Sequence, residues 1–302
     1  MQYNKQWISF EDQANKLISR GLIADKGKLV KVLQSVNYYR FTGYLYPFRQ
    51  KNSENFLSDI TLEKIWDLYK FDRRLRIILL EAIERIEISF RTQVVYLFAE
   101  KCGTFGYLKK SNFPNLTSKE YKNLIKGIRK ETFRKRGKSS KSKENFVVNF
   151  FNKYGRKHND LPIWILIEIV SFGTTHTLFK GLPDELIKKI ASHYKIADKL
   201  LLSWIRSLHS MRNICAHHSI LFNRVLGYKP LIPAKNKFPK WHNPTTVSNQ
   251  KVFSIIMICN YFMQEIASQS KWKYRLNELA NEFPSIELGA YGFPTNWEDF
   301  LK

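Results

Sequence analysis

Apolar residues recur at spacings of three and four along most of the chain, which is the pattern of amphipathic helices. The clearest run lies between Thr61 and Glu100. This run contains neither proline nor glycine and has apolar residues at 62, 65, 66, 69, 75, 79, 82, 83, 86, 90 and 94. One straight helix over these forty residues would span about 60 Å. We therefore expect a break in it, around residues 71–74.

Similar periodicity predicts further helices over residues 9–20, 25–36, 118–135, 144–154, 162–172, 183–192, 196–215, 248–269 and 271–282. Ser9 and Asp12 form a cap pair for the first of these, and Gly21 is expected to end it. Pro183 and Asp184 suit the start of their helix. No two segments alternate convincingly enough to build a sheet. The predicted fold class is all-α.

Two segments interrupt the helical pattern. In the aromatic block of residues 37–48, Tyr44, Tyr46 and Phe48 alternate with other residues, which allows a short extended or hairpin segment. Four of the ten prolines lie between Pro230 and Pro244, so we expect a loop or extended arm there.

The composition limits the class of protein. A chain of 302 residues with 44% hydrophobic residues can bury a sizeable core, and its formal net charge of +24 points to nucleic acid or an anionic membrane surface as partner. No apolar leader is visible, and the longest apolar runs are well short of the ~20 residues of a membrane span. Cys102, Cys215 and Cys259 are too dispersed for a disulfide framework. We expect a basic cytoplasmic protein that does not associate with membranes.

Residues 109–143 carry thirteen lysines and arginines but only two acids. An isolated charge run of this kind is often only a solvated surface loop. Because the whole chain is so basic, we interpret it as a phosphate-binding patch. The predicted RNA-binding residues are Lys126, Arg129, Lys130, Arg134, Lys135, Arg136, Lys138 and Lys141.

The strongest chemical signal is the heptapeptide of residues 212–218, Arg-Asn-Ile-Cys-Ala-His-His, at the end of a predicted helix. Among the seven histidines, only His217 and His218 have an arginine five to seven positions upstream, and for both it is Arg212. Histidine titrates near neutral pH and can move protons on a ribose hydroxyl, while arginine can hold a phosphate through two hydrogen bonds. Neither group needs a metal or a cofactor for this chemistry.

Helical geometry complicates this site. At about 100° per residue, Asn213 and His217 share a face, whereas Arg212 and His217 lie roughly 140° apart. Either the helix distorts or a second copy of the motif completes the site, and a symmetric homodimer is the simplest source of that copy.

Three other interpretations of the motif stay open. Arg212 could pair with a carboxylate such as Glu84 or Glu87 while the histidines cap the helix. A metal site formed by Cys215, His217 and His218 is disfavoured by the adjacent arginine and the lack of a spaced second ligand pair. A nucleophile of the Ser/His/Asp or Cys/His type is weaker still, because apolar packing is the favoured interpretation of Cys215.

Residues 212–224 together resemble the signature of bacterial abortive-infection proteins of the AbiD/AbiF type, which carry a HEPN-like ribonuclease domain. The resemblance covers most of residues 20–225 in family order and departs from the signature at Ile220, where a basic residue is expected, and at Phe222, where tryptophan is expected. The other blocks that resemble the family are residues 21–23, 36–41, 43–44, 46–48, 68–76, 82–87, 161–164 and 171–174.

The resemblance implies a HEPN-like helical bundle that cleaves RNA without a metal and acts in phage defence. By residue match Arg212 would bind phosphate, His217 would be the acid or base, Asn213 a polar support and His218 an auxiliary. Some AbiF-like proteins also pair with a small structured noncoding RNA. We predict an N-terminal helical and aromatic segment over 1–57, the HEPN-like domain over 58–225 with the basic insertion 109–143, and a Pro-rich loop with C-terminal helices over 226–302.

A different functional class remains as the alternative. The chain could be a non-catalytic scaffold for a structured RNA, gripping phosphates through the motif without cutting. The basic segment 109–143 and the aromatic block would then supply phosphate-binding and stacking surfaces, although core packing is the favoured interpretation of the aromatic block.

Overall fold

The computed structural model describes residues 2, 6–132 and 144–301. These ranges contain α-helices, short 3-10 turns and two isolated β-bridges but no β-strand, which confirms the predicted all-α class. The helices are α1 (Phe10–Ser19), α2 (Lys26–Ser35), α3 (Tyr38–Leu45), α4 (Leu62–Cys102), α5 (Ser118–Thr132), α6 (Asn145–Tyr154), α7 (Ile163–Ile169), α8 (Phe172–Gly181), α9 (Asp184–His193), α10 (Asp198–Ala216), α11 (Val252–Ile266), α12 (Trp272–Glu282) and α13 (Trp297–Leu301).

Helix α4 is the central element of the fold. It runs unbroken for 41 residues, so the predicted break at 71–74 is wrong. Of the polar residues in that stretch, Arg73 is exposed, whereas Asp72 is buried and pairs with the buried Arg76 one turn later. Helices α3, α7, α8, α9, α10, α11 and α12 all pack along α4. Because several neighbouring helices bury one face of α4, so long a helix is stabilised as one continuous element.

Side-chain caps mark the N-termini of the first helices, including the predicted cap pair of α1. The Ser9 hydroxyl accepts from the Asp12 backbone N–H at 3.1 Å and donates to the Asp12 carboxylate at 2.7 Å. Asp25 caps α2 in the same way, and Thr61 caps α4. Gly21 follows α1 with φ +98°, a conformation that glycine adopts without steric cost. These local signals fixed where the first helices begin and end.

Two local predictions fail. The aromatic block is not extended: Asn37 caps the amide N–H of Tyr39, and the chain forms α3 followed by a 3-10 turn over Tyr46–Phe48. Helix α3 buries Phe41 and Tyr44, whereas Tyr46 in the turn is exposed. The helix predicted over 162–172 is α7, which ends earlier, at the C-cap Val170. Ser171 then caps α8, a helix that the pattern did not predict.

All three predicted segments contribute to one continuous hydrophobic core. Helix α3 of the N-terminal segment and α11 and α12 of the C-terminal segment pack against α4. Helix α11 is almost wholly buried. The C-terminal segment therefore supports the centre of the fold and, through it, the end of α10. The boundaries at 57/58 and 225/226 stay predictions.

Within the described residues, no helix combines the length and the apolar character that a membrane crossing needs.

Candidate functional site

Helix α10 carries the heptapeptide at its C-terminal end. The helix continues regularly to Ala216, His217 occupies the C-cap and His218 has φ +56°. The His218 N–H donates to the Cys215 carbonyl at 3.0 Å, and the Ser219 N–H donates to the Ile214 carbonyl at 2.9 Å. This pair of bonds is a Schellman motif, in which the left-handed position is usually glycine. The helix therefore ends sharply, with both histidine side chains exposed.

The loop that follows the helix is tied to α4 through Asp72. Its Oδ1 accepts from the backbone N–H of Leu221 at 3.1 Å and from that of Phe222 at 2.8 Å. The guanidinium of Arg76 pairs with the same carboxylate and donates to the Ser219 carbonyl at 3.2 Å. A buried ion pair that also holds two backbone amides fixes the path of the chain directly after the motif.

Two tyrosines complete this network. The Tyr44 hydroxyl donates to Asp72 at 2.8 Å and the Tyr291 hydroxyl at 3.1 Å. Burial, followed by the Asp72 carboxylate, raises the pKa of both tyrosines well above its usual value, so both hydroxyls stay protonated donors. Burial also raises the pKa of Asp72, an effect that Arg76 opposes.

The guanidinium of Arg212 lies between α4 and the rest of the motif. Its Nε is 4.0 Å from a Glu87 oxygen, at the limit of an ion pair, and its side chain is 44% exposed. Glu87 is held more closely by Arg91, whose Nε donates to it at 3.1 Å. The alternative pairing of Arg212 with Glu87 is thus present as a long contact. Arg212 remains accessible to an anion from solvent.

Asn213 joins Arg212 to His209, one turn earlier on α10. The Asn213 amide nitrogen lies 3.1 Å from Nε2 of His209, and the Arg212 guanidinium donates to the Asn213 amide oxygen at a long 3.5 Å. The His209 ring stacks on that of His176, with centroids 6.2 Å apart. Gly173 permits this close packing, because a Cβ there would lie 3.0 Å from Nε2 of His209.

Arg212 and His217 face different depressions. A cleft of about 1560 Å³ between α5, α8 and α10 is lined by Asn213 and His217, together with His176 and His209. Arg212 instead borders a second depression with Glu87 and Ala216. This is the angular separation expected from a regular helix, and α10 does not distort to remove it. A single copy of the chain does not place the guanidinium and the His217 imidazole in one cleft.

The predicted basic patch is only partly described. Lys126 and Arg129 border a shallow depression on the side of α5 away from the cleft, and Arg129 lies 3.7 Å from a carboxylate oxygen of Asp160. Lys130 is exposed near the end of α5. The remaining predicted RNA-binding residues lie outside the described residues: Arg134, Lys135, Arg136, Lys138 and Lys141.

Cys215 belongs to the core. It is 1% exposed, and burial raises the pKa of its thiol to about 12, so it stays a neutral thiol. Because His217 and His218 are exposed while Cys215 points inward, the three side chains do not converge on one point. The geometry opposes the alternative in which they form a metal site.

The two departures from the family signature fall at packing positions. The Phe222 ring stacks on Phe48 with centroids 6.0 Å apart and also contacts Tyr291. Ile220 packs so closely on α3 that a Cβ on Gly43 would lie 2.6 Å from its terminal carbon. Both residues fasten the loop after the motif to the N-terminal segment.

Sequence reasoning missed three polar residues of this region: Asp72, His176 and His209. Asp72 could have been found, because it takes a place in the series 65, 68, 72, 75, 79 that is otherwise apolar; an acid there must be buried and paired. His209 lies one turn before Asn213 and two turns before His217, on the same helical face. Nothing in the sequence pointed to His176, which reaches the site from α8.

His176 gives the protein a specific acid sensitivity. The pKa of His176 is lowered to about 4, mainly by burial. The electrostatic effects of His209, Arg206 and Lys180 also contribute to this lowering. The unfolded chain binds a proton at pH values below about 6.5, but the folded chain binds it only near pH 4. Stability is therefore lost as the pH falls from about 6.5 to 4, by roughly 3 kcal/mol from this residue. We expect the free energy of unfolding of His176→Gln, measured with urea, to fall less between pH 7.5 and pH 4.5 than that of the unmodified protein. His193→Gln, on the surface of α9, should unfold like the unmodified protein, and an unchanged pH dependence in His176→Gln would contradict the assignment.

Comparison with known proteins adds one finding. Residues 31–223 match the family model described as Abi-like protein. No curated protein and no solved structure matches the chain. The matched range begins in α2, contains α3 and α4, and ends at the loop that Asp72 holds, so it includes the whole heptapeptide and its supporting network.

Proposed function

The chain belongs to the Abi-like protein family of abortive-infection proteins, and on that basis we propose that it is a metal-independent endoribonuclease that acts in phage defence. The domain that carries the activity would be HEPN-like, with the heptapeptide of residues 212–218 as its site. The observation that carries the proposal is the placement of that heptapeptide. An accessible arginine, an oriented amide and two exposed histidines lie together at a rigidly held helix end.

The proposed reaction is an internal transfer at one RNA phosphate. The ribose 2′-hydroxyl attacks the adjacent phosphorus while a base removes its proton, and the bond to the 5′-oxygen of the next nucleotide breaks as an acid protonates that oxygen. The products are a 2′,3′-cyclic phosphate and a 5′-hydroxyl. His217 is the proposed acid or base, Arg212 stabilises the negative charge that develops on the phosphate, Asn213 positions Arg212, and His218 assists.

A homodimer is part of the proposal. Arg212 and His217 of one copy face different depressions, so a second copy is the simplest way to bring an arginine and a histidine to one phosphate. The depression beside Arg212 is lined by four glutamates, Glu81, Glu84, Glu87 and Glu168. Such a surface suits contact with another copy of a strongly basic chain.

The ends of the cleaved RNA test the activity. Purified protein incubated with RNA in EDTA should leave 2′,3′-cyclic phosphate and 5′-hydroxyl ends. Arg212→Ala should lower the cleavage rate by about 10²- to 10³-fold, since one preorganised donor to a developing charge is worth that much. Arg85→Ala is the matched control, because Arg85 is also half-exposed on a helix and lies 3.6 Å from a carboxylate. Intact RNA with the unmodified protein, or equal cleavage by Arg212→Ala, would refute the nuclease proposal.

The alternative function is a scaffold that binds a structured RNA without cutting it. It is favoured by the separation of Arg212 from His217 within one chain. RNA recovered with the purified protein distinguishes the two. A single discrete species with intact ends supports the scaffold, whereas cyclic-phosphate ends that disappear in Arg212→Ala support the nuclease. A discrete RNA alongside activity would identify a bound noncoding RNA that controls the enzyme.

A further inference from the structure

The cleft between α5, α8 and α10 is basic beyond the heptapeptide. Lys180, Arg206 and Lys229 line it in addition to the three histidines already described, and Glu120 is the one acid among its described lining residues. Glu120 is engaged by Lys180 at 2.9 Å. Among the described residues no carboxylate lies within ion-pair distance of Arg206 or Lys229. Two unpaired cations in a concave surface attract a polyanion.

An aromatic side chain stands beside these cations. The Arg206 guanidinium carbon lies 4.0 Å from the centre of the Tyr228 ring, and Tyr228 as a residue is 47% exposed. A cation–π contact of this kind holds the guanidinium and the ring against each other. The exposed part of the ring is available to stack on another planar group.

The segment that carries Tyr228 is anchored to α10. The Ser207 hydroxyl donates to the Tyr228 carbonyl at 3.3 Å. Two bonds farther along hold the same segment, from the Leu231 N–H to the Ser203 hydroxyl at 2.8 Å and from the Trp204 indole to the Leu231 carbonyl at 2.9 Å. The ring is therefore presented by a fixed backbone and does not have to be ordered when a ligand binds.

The size and continuity of the cleft suit a polymer. Its volume of about 1560 Å³ exceeds the roughly 300–1000 Å³ of sites for single small molecules. Along α10 it extends from Arg206 past His209 and Asn213 to His217. Residues 206 and 217 are eleven positions apart, or about 16 Å along the helix. A strand lying in the cleft would thus contact the Arg206–Tyr228 pair several nucleotides away from a phosphate at His217.

We propose that Arg206 and Tyr228 form a subsite for an unpaired nucleobase, which makes the cleft a groove for single-stranded RNA. The proposal rests on the proposed ribonuclease function for the identity of the polymer and adds which form of RNA is recognised. The base stacks on the exposed part of the Tyr228 ring, and Arg206 and Lys229 contact the flanking phosphates. Stacking requires a base that is not already enclosed in a duplex, so paired RNA gains only the contribution of the charges.

Binding of a strand that cannot be cut tests the subsite independently of cleavage. The probe is a fluorescein-labelled 2′-O-methyl oligoribonucleotide of mixed sequence, used alone and annealed to its complement, with affinity read by fluorescence anisotropy. We expect Tyr228→Ala to weaken single-strand binding by about 5- to 100-fold and to change duplex binding less than twofold. Tyr228→Phe should bind like the unmodified protein, because the ring alone stacks. Tyr274→Ala is the matched control, since Tyr274 is 60% exposed on α12 outside the cleft.

The salt dependence of RNA binding distinguishes the role of Arg206 from that of Tyr228. Arg206→Ala should make the slope of log affinity against log salt shallower by the contribution of roughly one phosphate contact. Tyr228→Ala should leave the slope unchanged. Equal single-strand binding by Tyr228→Ala and the unmodified protein, or an equal loss for strand and duplex, would overturn the subsite. Because the probe lacks a free 2′-hydroxyl, these outcomes do not depend on catalysis. A protein that leaves RNA intact but shows the Tyr228 effect loses only the nuclease proposal.

Discussion

His217→Ala is expected to lower the rate of RNA cleavage by about 10²- to 10⁴-fold, the contribution of a positioned general acid or base. RNA affinity should change less than threefold, because the exposed imidazole at the end of α10 is one of many groups in a basic cleft. The fold should be unaffected, since the helix end is held by backbone bonds of residues 217–219. Single-turnover cleavage of a labelled RNA, with affinity measured separately, checks both parts.

A second exposed histidine controls for the loss of an imidazole. His193 ends α9 much as His217 ends α10, and it lies outside the cleft. His193→Ala should therefore cleave at the rate of the unmodified protein. If His217→Ala retains full activity, another group moves the proton. His209, on the same face two turns earlier, is then the next residue to substitute.

Asp72→Asn is expected to destabilise the folded protein by about 3–5 kcal/mol, as the loss of one member of a buried ion pair does. The guanidinium of Arg76, with only 5% of its side chain exposed, would keep its charge without a counterion. A lower melting temperature, by roughly 10 °C for a chain of this size, and a lower urea midpoint check the stability. The loop of residues 219–222 should also lose its register on α4, so RNA cleavage should fall even below the melting transition.

The same substitution on the surface of α4 is the control. Asp67 pairs with Lys70 at 2.7 Å and is 37% exposed, so Asp67→Asn should cost less than about 1 kcal/mol. Removing both buried charges in Asp72→Asn/Arg76→Met should not restore stability. The Asp72 carboxylate also accepts from two backbone amides and two tyrosine hydroxyls. Full recovery in the double variant would show that the ion pair alone explains the effect.

The blocks that resemble the abortive-infection proteins share a physical role. Arg40 donates to the His218 carbonyl, Tyr44 and Asp72 lie in the network below the loop, and Phe48 stacks on Phe222. These residues are far apart in the sequence but meet around the chain that leaves α10. The order of the blocks in the sequence pointed to the family. Their shared structural role is seen only in the folded chain, where the blocks contact one another.

The sequence by itself determined the helical class, most helix boundaries and the identity of the candidate heptapeptide. These features depend on local chemistry: the three-and-four spacing of apolar residues, the cap pair of Ser9 and Asp12, and the occurrence of an arginine and two histidines at one helix end. Even the angular separation of Arg212 from His217 followed from helical geometry alone, and the regular course of α10 preserves it.

Only the tertiary structure decided what surrounds these elements. The continuity of α4 depends on a partner for Asp72 that the polar stretch at 71–74 does not reveal, because burying a carboxylate is tolerable only when Arg76, two tyrosines and the amides of residues 221–222 converge on it. The meeting of His176 with His209, and of Arg206 with Tyr228, joins residues from different helices and loops. A local sequence pattern indicates which face of one helix is buried, whereas the cleft arises from the way several helices and loops pack together.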